Sequence, residues 1–157
     1  MTDRLQCWTD GACGKYRHGG WAFVLYSPTN PFLLTEQYGA VPDTTSQRME
    51  LTALVMALQF LRDEWSWHCD PISVHTDSSY LKNCFTKGWY KTWERNGWRN
   101  SKGEPVANRD LWETLIPLVH SRAPKWYKVG GHKGIDLNER CDTLAVAARK
   151  SLETQNM

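Results

Sequence analysis

The sequence predicts an α/β fold built on a mixed sheet, and three observations predict it. Three strand-like stretches with short connections occupy residues 4–10, 20–27 and 32–39, the pattern of an antiparallel meander. An apolar helical stretch follows at 51–61. From there strand and helix signals alternate to residue 150, as parallel crossovers packed on a sheet require.

The first stretch, RLQCWTD, reads as a short strand ended by Gly11, with Asp10 at or near its end. The glycine-rich, basic loop GACGKYRHGG leads to the second strand, GWAFVLYS. SPTNP is a turn signal, and FLLTEQYG is the third strand. TTSQRME then opens a helix, with Thr45 or Ser46 as N-cap and Glu50 in the first turns, where the helix dipole favours an acid. Ala53, Leu54, Ala57, Leu58 and Leu61 recur at helical spacing, while Val55, Met56 and Phe60 fill other faces. A helix apolar over most of its circumference is covered on two sides. Glu50 shares the stripe of Leu54 and Leu61, so it sits at the end of a core-facing row.

PISVHT is the fourth strand and ends on Asp77, with SSY opening a short helix beyond it. The carboxyl edge of a strand is the usual place for a site in an α/β sheet. Residues 86–104 are polar, basic and aromatic, interrupted by Gly88, Gly97 and Gly103. NRDLWETLIPLVHSR is a further helix that Pro117 should kink or shorten. APKWYKV is the last strand, the loop GGHKGID follows, and a final helix runs from about 137 to 150. Residues 151–157 read as a frayed polar tail. The order is β-β-β-α-β-α-α-β-α, and 157 residues without an internal repeat suit one domain.

Composition narrows the function classes. Hydrophobic residues at 41% and charged residues at 23% describe an ordinary globular protein. The longest apolar run, eleven residues, is too short to cross a bilayer. Five cysteines (7, 13, 69, 84 and 141) form no CxxC pair, which argues against a disulfide framework or a zinc site. MTDRLQCWTD has an early acid and no apolar run of the kind a signal peptide needs, so the expectation is a reduced, cytoplasmic protein; a monomer is expected as well. Its net charge of +2 is unevenly placed: residues 82–103 carry six basic side chains against the single acid Glu94.

The carboxylates carry the chemistry. Asp10, Glu50, Asp77 and Asp142 each stand where a strand or helix begins or ends, so side chains from separate elements can converge. Four carboxylates together repel one another unless a cation joins them, and hard oxygen ligands select magnesium or manganese over zinc. Two such ions can activate a water and stabilise the leaving oxygen of a phosphodiester. His132, on a glycine-flanked loop ten residues before Asp142, is placed to move a proton. Any one of these acids alone would read as a cap, a turn residue or a solvated charge.

In GWYKTWERNGWR, Trp89, Trp93 and Trp98 interleave with Lys91, Arg95 and Arg99. Cations can track phosphates while aromatic faces rest on sugars or bases. The same tryptophans would equally serve a small satellite core beneath a solvated basic face.

The motifs TDG, RMEL, TDSSY, GWxxxWxxxxGW and GHxGxxxNERCDxLA, in this order and over roughly residues 5–150, resemble those of type 1 bacterial ribonuclease H. The resemblance implies a five-stranded mixed sheet of order 3-2-1-4-5 flanked by helices. It also implies an enzyme that cuts the RNA strand of RNA–DNA hybrids with two magnesium ions, manganese being a substitute. By motif match the ligands fall on Asp10, Glu50, Asp77 and Asp142, and the mobile histidine on His132. The segment at about 82–104 would be the family's basic protrusion, which holds the DNA strand. Cys13, Gln47 and Ser79 stand at positions that match substrate contacts. The loop after Asp10, the Ser46–Gln47 pair, Ser79 and Gly130 depart from the family's usual residues. The alternatives are another nuclease or strand-transfer enzyme of the same fold, or a nucleic-acid-binding module without activity.

Overall fold

The computed structural model describes residues 4–66, 71–129 and 136–155. Five strands, β1 (Leu5–Cys13), β2 (Gly19–Tyr26), β3 (Thr35–Val41), β4 (Ile72–Thr76) and β5 (Lys125–Lys128), form one sheet of order β3-β2-β1-β4-β5. β1 pairs antiparallel with β2, and β2 with β3; β4 runs parallel to both β1 and β5. The mixed sheet and its strand order are as expected from the sequence.

Side chains alternate between the two faces, and each face has its own helices. Leu5, Cys7, Phe23, Leu25, Ile72 and Val74 lie in the larger core beneath helix α1 (Ser46–Glu64) and helix α4 (Arg109–Arg122). Trp8, Ala22 and Val24 point the other way, against Cys141, Leu144 and Ala145 of helix α5 (Asp136–Gln155). α1 packs on β1 and β2 on one side and on α4 on the other, which accounts for its near-complete apolar surface. Its start is capped by Thr45, whose hydroxyl accepts the Arg48 N–H. Between β4 and β5 lie α2 (Ser79–Thr86), α3 (Trp89–Asn96) and then α4.

Several boundaries differ from the sequence expectation. β1 does not end at Gly11 but runs through Asp10 to Cys13, because Gly19–Ala22 of β2 continue the ladder beside it. The third strand starts at Thr35, since Pro31–Leu33 form a single 3-10 turn fastened by the Asn30 side chain. There are three helices between β4 and β5 where the element order anticipated two. Pro117 does not shorten α4. The carbonyl deprived of its partner belongs to Glu113, on the exposed side, where water can serve it. Residues 151–155, expected as a frayed tail, continue α5. Among the described residues no helix is long and apolar enough to cross a membrane.

Candidate metal centre and nucleic-acid face

Asp10 leaves β1 on the face of Trp8, and only 5% of its surface is exposed. The Gly11 N–H donates to its Oδ1 at 2.9 Å, which fixes the carboxylate. β4 lies parallel to β1 with Trp8 beside His75, and continuing that register sets Asp77 beside Asp10. Asp77 is the first residue past β4. The turn behind it is fastened twice: Ser78 N–H donates to Thr76 Oγ1 at 3.0 Å, and Leu81 N–H to Ser78 Oγ at 3.1 Å, which caps α2.

Glu50 arrives from the opposite layer, and Gly11 lets it do so. A Cβ on Gly11 would run into the Met49 carbonyl carbon and come within 2.5 Å of the Glu50 nitrogen. The glycine of TDG is therefore a close-approach residue that brings α1 onto β1 beside Asp10. Gly11→Ala must push the two apart, a forced overpacking worth about 1–3 kcal/mol. At about 2–4 °C of melting temperature per kcal/mol in a chain this size, thermal unfolding will show it. Activity should fall further than stability does, because Glu50 moves with α1. A variant with wild-type melting and turnover would show that this contact does not hold the site together.

Asp10, Glu50 and Asp77 each offer an oxygen, and the three oxygens lie within 4.8 Å of one another. The electrostatics follow. Burial, then the charge of Asp77, with Asp142 adding to it, pushes the Asp10 carboxyl up to about 7. Burial and the two neighbouring aspartates also push Glu50 well above the usual carboxylate range. Glu50 Oε2 is buried and has no hydrogen-bond partner. A hard divalent cation fits this donor set: it neutralises crowded carboxylates and satisfies the orphaned oxygen.

Asp142 is half-buried on α5 and lies outside the tight trio, although Asp10 feels its charge. Its neighbours explain the NERCD spacing. Cys141 points inward and its thiol donates to the Trp8 carbonyl at 3.3 Å, while Arg140 grips Glu36 of β3 at 2.8 and 2.5 Å. α5 is thus pinned at the two residues immediately before Asp142. His132 lies outside the described residues.

A groove of about 630 Å³ lies beside Gln47, the first-turn neighbour of Glu50, and Tyr80, three residues beyond Asp77. Trp89, Thr92, Asn96 and Arg99 line its further side. Lys91, Arg95 and Arg99 are exposed, and among the described residues none is in an ion pair. The tryptophans divide. Trp89 is half-buried and lines the groove with Trp93; Trp93 and Trp98 are 8% and 9% exposed and belong to the main core. Trp93 packs on Trp112 with ring centres 5.4 Å apart, and Trp98 on Trp93 at 5.9 Å. Both rings anchor α3 and its following loop, and Trp93 also lines the groove. The satellite core weighed for them is absent, since their partners include the principal core residue Trp112.

Ser79 is exposed at the start of α2, and Gln47 is exposed at the start of α1. Cys13 ends β1, half-buried, with its thiol 3.5 Å from the Thr44 carbonyl. The sequence reading missed Tyr80, Thr92 and Asn96 as groove residues. Tyr80 was the findable one, one helical turn past Asp77 in the TDSSY motif.

Comparison with known proteins agrees with this geometry. The RNase H family model matches residues 2–150. The chain is 48% identical over 146 residues to the ribonuclease H of Syntrophomonas wolfei, covering 92% of this chain and 95% of that one. It is 43% identical over 152 residues to that of Moorella thermoacetica, covering 96% and 94%. Among solved structures, LC9-RNase H1, a type 1 RNase H with the type 2 active-site motif, superposes with a TM-score of 0.79 at 25% identity, covering 96% of this chain and 74% of that one. With the sheet order, the carboxylate trio and near-complete coverage all agreeing, the chain belongs to the ribonuclease H family.

Proposed function

We propose that this ribonuclease H hydrolyses the RNA strand of RNA–DNA hybrids endonucleolytically with magnesium, leaving 3′-hydroxyl and 5′-phosphate ends. The observation that carries the reading is the convergence of Asp10, Glu50 and Asp77, with an unpartnered Glu50 oxygen, beside a groove lined by aromatic and amide side chains and by Arg99. Two Mg²⁺ ions, or Mn²⁺ in their place, would be held by these three carboxylates and Asp142. Bound there, the metal supplies an activated water and charge stabilisation at the leaving oxygen.

The chain's own residues do the rest. Asp10 and Asp77, on neighbouring strands, present oxygens from a rigid sheet, and Glu50 closes the set from α1. His132 moves a proton at the reacting phosphate. Trp89, Lys91, Arg95 and Arg99 hold the DNA strand, with Gln47, Ser79 and Cys13 nearer the RNA. Discrimination rests on 2′-hydroxyl contacts on one strand and deoxyribose fit on the other. The protein is expected to act as a cytoplasmic monomer.

Matched RNA–DNA, RNA–RNA and DNA–DNA duplexes in magnesium test this directly. Only the hybrid should be cut, in its RNA strand; equal cleavage of the DNA duplex would sink the proposal. Neutralising Lys91, Arg95 and Arg99 together should weaken hybrid binding and lower the slope of log K against log salt by about one unit per lost phosphate contact. Turnover at saturating hybrid should hardly change. An unchanged slope would return this segment to a solvated basic face.

A further inference from the structure

We propose that Arg48 is a positioning residue: its forked ion pair with Asp110 sets the span between the carboxylate site and the cationic loop that carries Arg99. The inference rests on the reading of the chain as a hybrid nuclease. Arg48 stands in the first turn of α1, two residues before Glu50 and next to the groove residue Gln47. Its Nη1 donates to Asp110 Oδ1 at 3.0 Å and its Nη2 to Oδ2 at 2.8 Å. Nη1 also reaches Asn108 Oδ1 at 3.3 Å. A fork of this kind fixes orientation as well as distance, unlike the single contact of an ordinary surface pair. The pairing also pulls the Arg48 pKa up and the Asp110 pKa down.

What the fork holds on its far side matters most. Asn108 has a left-handed backbone (φ 64°), and its carbonyl accepts the N–H groups of Leu111 and Trp112. The Arg109 guanidinium lies 5.0 Å from the Trp98 ring centre. The Val106 N–H donates to the Trp98 carbonyl, and Arg99 bridges Pro105. The loop bearing Arg99 therefore returns directly to the residues that Arg48 grips. Of the other forked pairs among the described residues, Arg62–Asp63 joins chain neighbours and Arg140–Glu36 joins α5 to β3. Arg48–Asp110 joins α1, which carries Glu50, to the first turn of α4, where the loop that carries Arg99 ends at Asn108.

A duplex is a stiff rod on this length scale, so phosphates on its two strands present a fixed span that the protein must match. Tolerances at such sites are about half an ångström. With Arg48 already matched by Asp110, its charge is not free to serve as a phosphate contact. Its effect reaches the substrate through the loop.

The experiment measures steady-state cleavage by wild type, Arg48→Ala, Asp110→Ala, both together, and the swap Arg48→Asp with Asp110→Arg. Two hybrids are used, one long enough to reach Arg99 and one too short to do so. Each single variant should raise KM for the long hybrid about tenfold, leave kcat nearly unchanged, and match wild type on the short one. The double alanine variant should be no worse than either single one, and the swap should recover most of the loss. Arg48→Ala raising KM while Asp110→Ala does not would overturn the proposal and make Arg48 a direct phosphate ligand. Equal losses on both hybrids, in step with lowered melting temperatures, would reduce the pair to a stabilising contact and overturn it too. Wild type that cleaves neither hybrid removes the nuclease reading and this inference together; wild type that cleaves both while the swap fails to recover removes this inference alone.

Discussion

Asp10→Asn and Asp77→Asn should each abolish turnover, by on the order of 10³-fold or more, while hybrid affinity stays within a few-fold of wild type. The two halves of this expectation come from different parts of the molecule. The carboxylates converge at the edge of β1 and β4, where they face one another, and among the described residues no basic side chain acts on Asp10 or Glu50. Asparagine keeps the shape and can still accept the Gly11 N–H, but it no longer offers a charged oxygen to a divalent ion. Phosphate contacts from Lys91, Arg95 and Arg99 are untouched, so substrate still binds. His132→Ala should be milder, by about 10²-fold or less, because proton transfer is one contribution among several. Turnover by single-turnover kinetics and affinity by titration separate the two quantities. His132→Ala as inactive as Asp10→Asn would overturn the division of roles, and loss of binding in Asp10→Asn would place the carboxylates in substrate recognition.

Glu50 and Asp77 were legible in the sequence because each follows an element boundary that survives into the structure, whereas Asp10 lies inside β1 and Asp142 inside α5. Thr45 caps α1 and Ser78 caps α2, so Glu50 and Asp77 hold their places whatever the loops do. Gly11 was misread for a physical reason. Glycine usually weakens a strand, but here the approach of the Met49–Glu50 backbone requires it, and no local pattern reveals a partner 38 residues away. Trp93 and Trp98 show a second blind spot. A tryptophan beside cations has the same sequence signature whether or not its ring is packed on the core, and the packing of Trp93 on Trp112 lies outside any local pattern. Pro117 looked disruptive because the exposure of the Glu113 carbonyl depends on which face of α4 turns outward.

In chelator at pH 8, Asp10→Asn should melt several degrees above wild type, although it is inactive. The Asp10 pKa rises from the ordinary 3.8 to about 7 on folding, and that of Glu50 rises as well. The folded chain then holds protons that the unfolded chain releases, so unfolding free energy falls as pH rises from about 4 to about 7 and the penalty is fully present above that. Asparagine removes one charge of the trio. Its amide can donate to Glu50 while its oxygen keeps the Gly11 N–H, so the site loses repulsion without losing its hydrogen bond. Relief of about 1–2 kcal/mol corresponds to about 2–8 °C in a chain of this size. The advantage should shrink toward pH 5, where wild-type Asp10 is protonated in the folded state. Millimolar magnesium should raise the wild-type melting temperature by mass action and that of the mutant less, closing or reversing the gap. Carboxylates that did not share a site would give a mutant no more stable than wild type in chelator and no magnesium shift in either protein. Thermal unfolding of both proteins, in chelator and in magnesium at pH 5 and pH 8, decides between the two. A gain in stability at pH 8 that magnesium cancels is the result a functional trio demands, because the repulsion that weakens the metal-free fold is what attracts the ion.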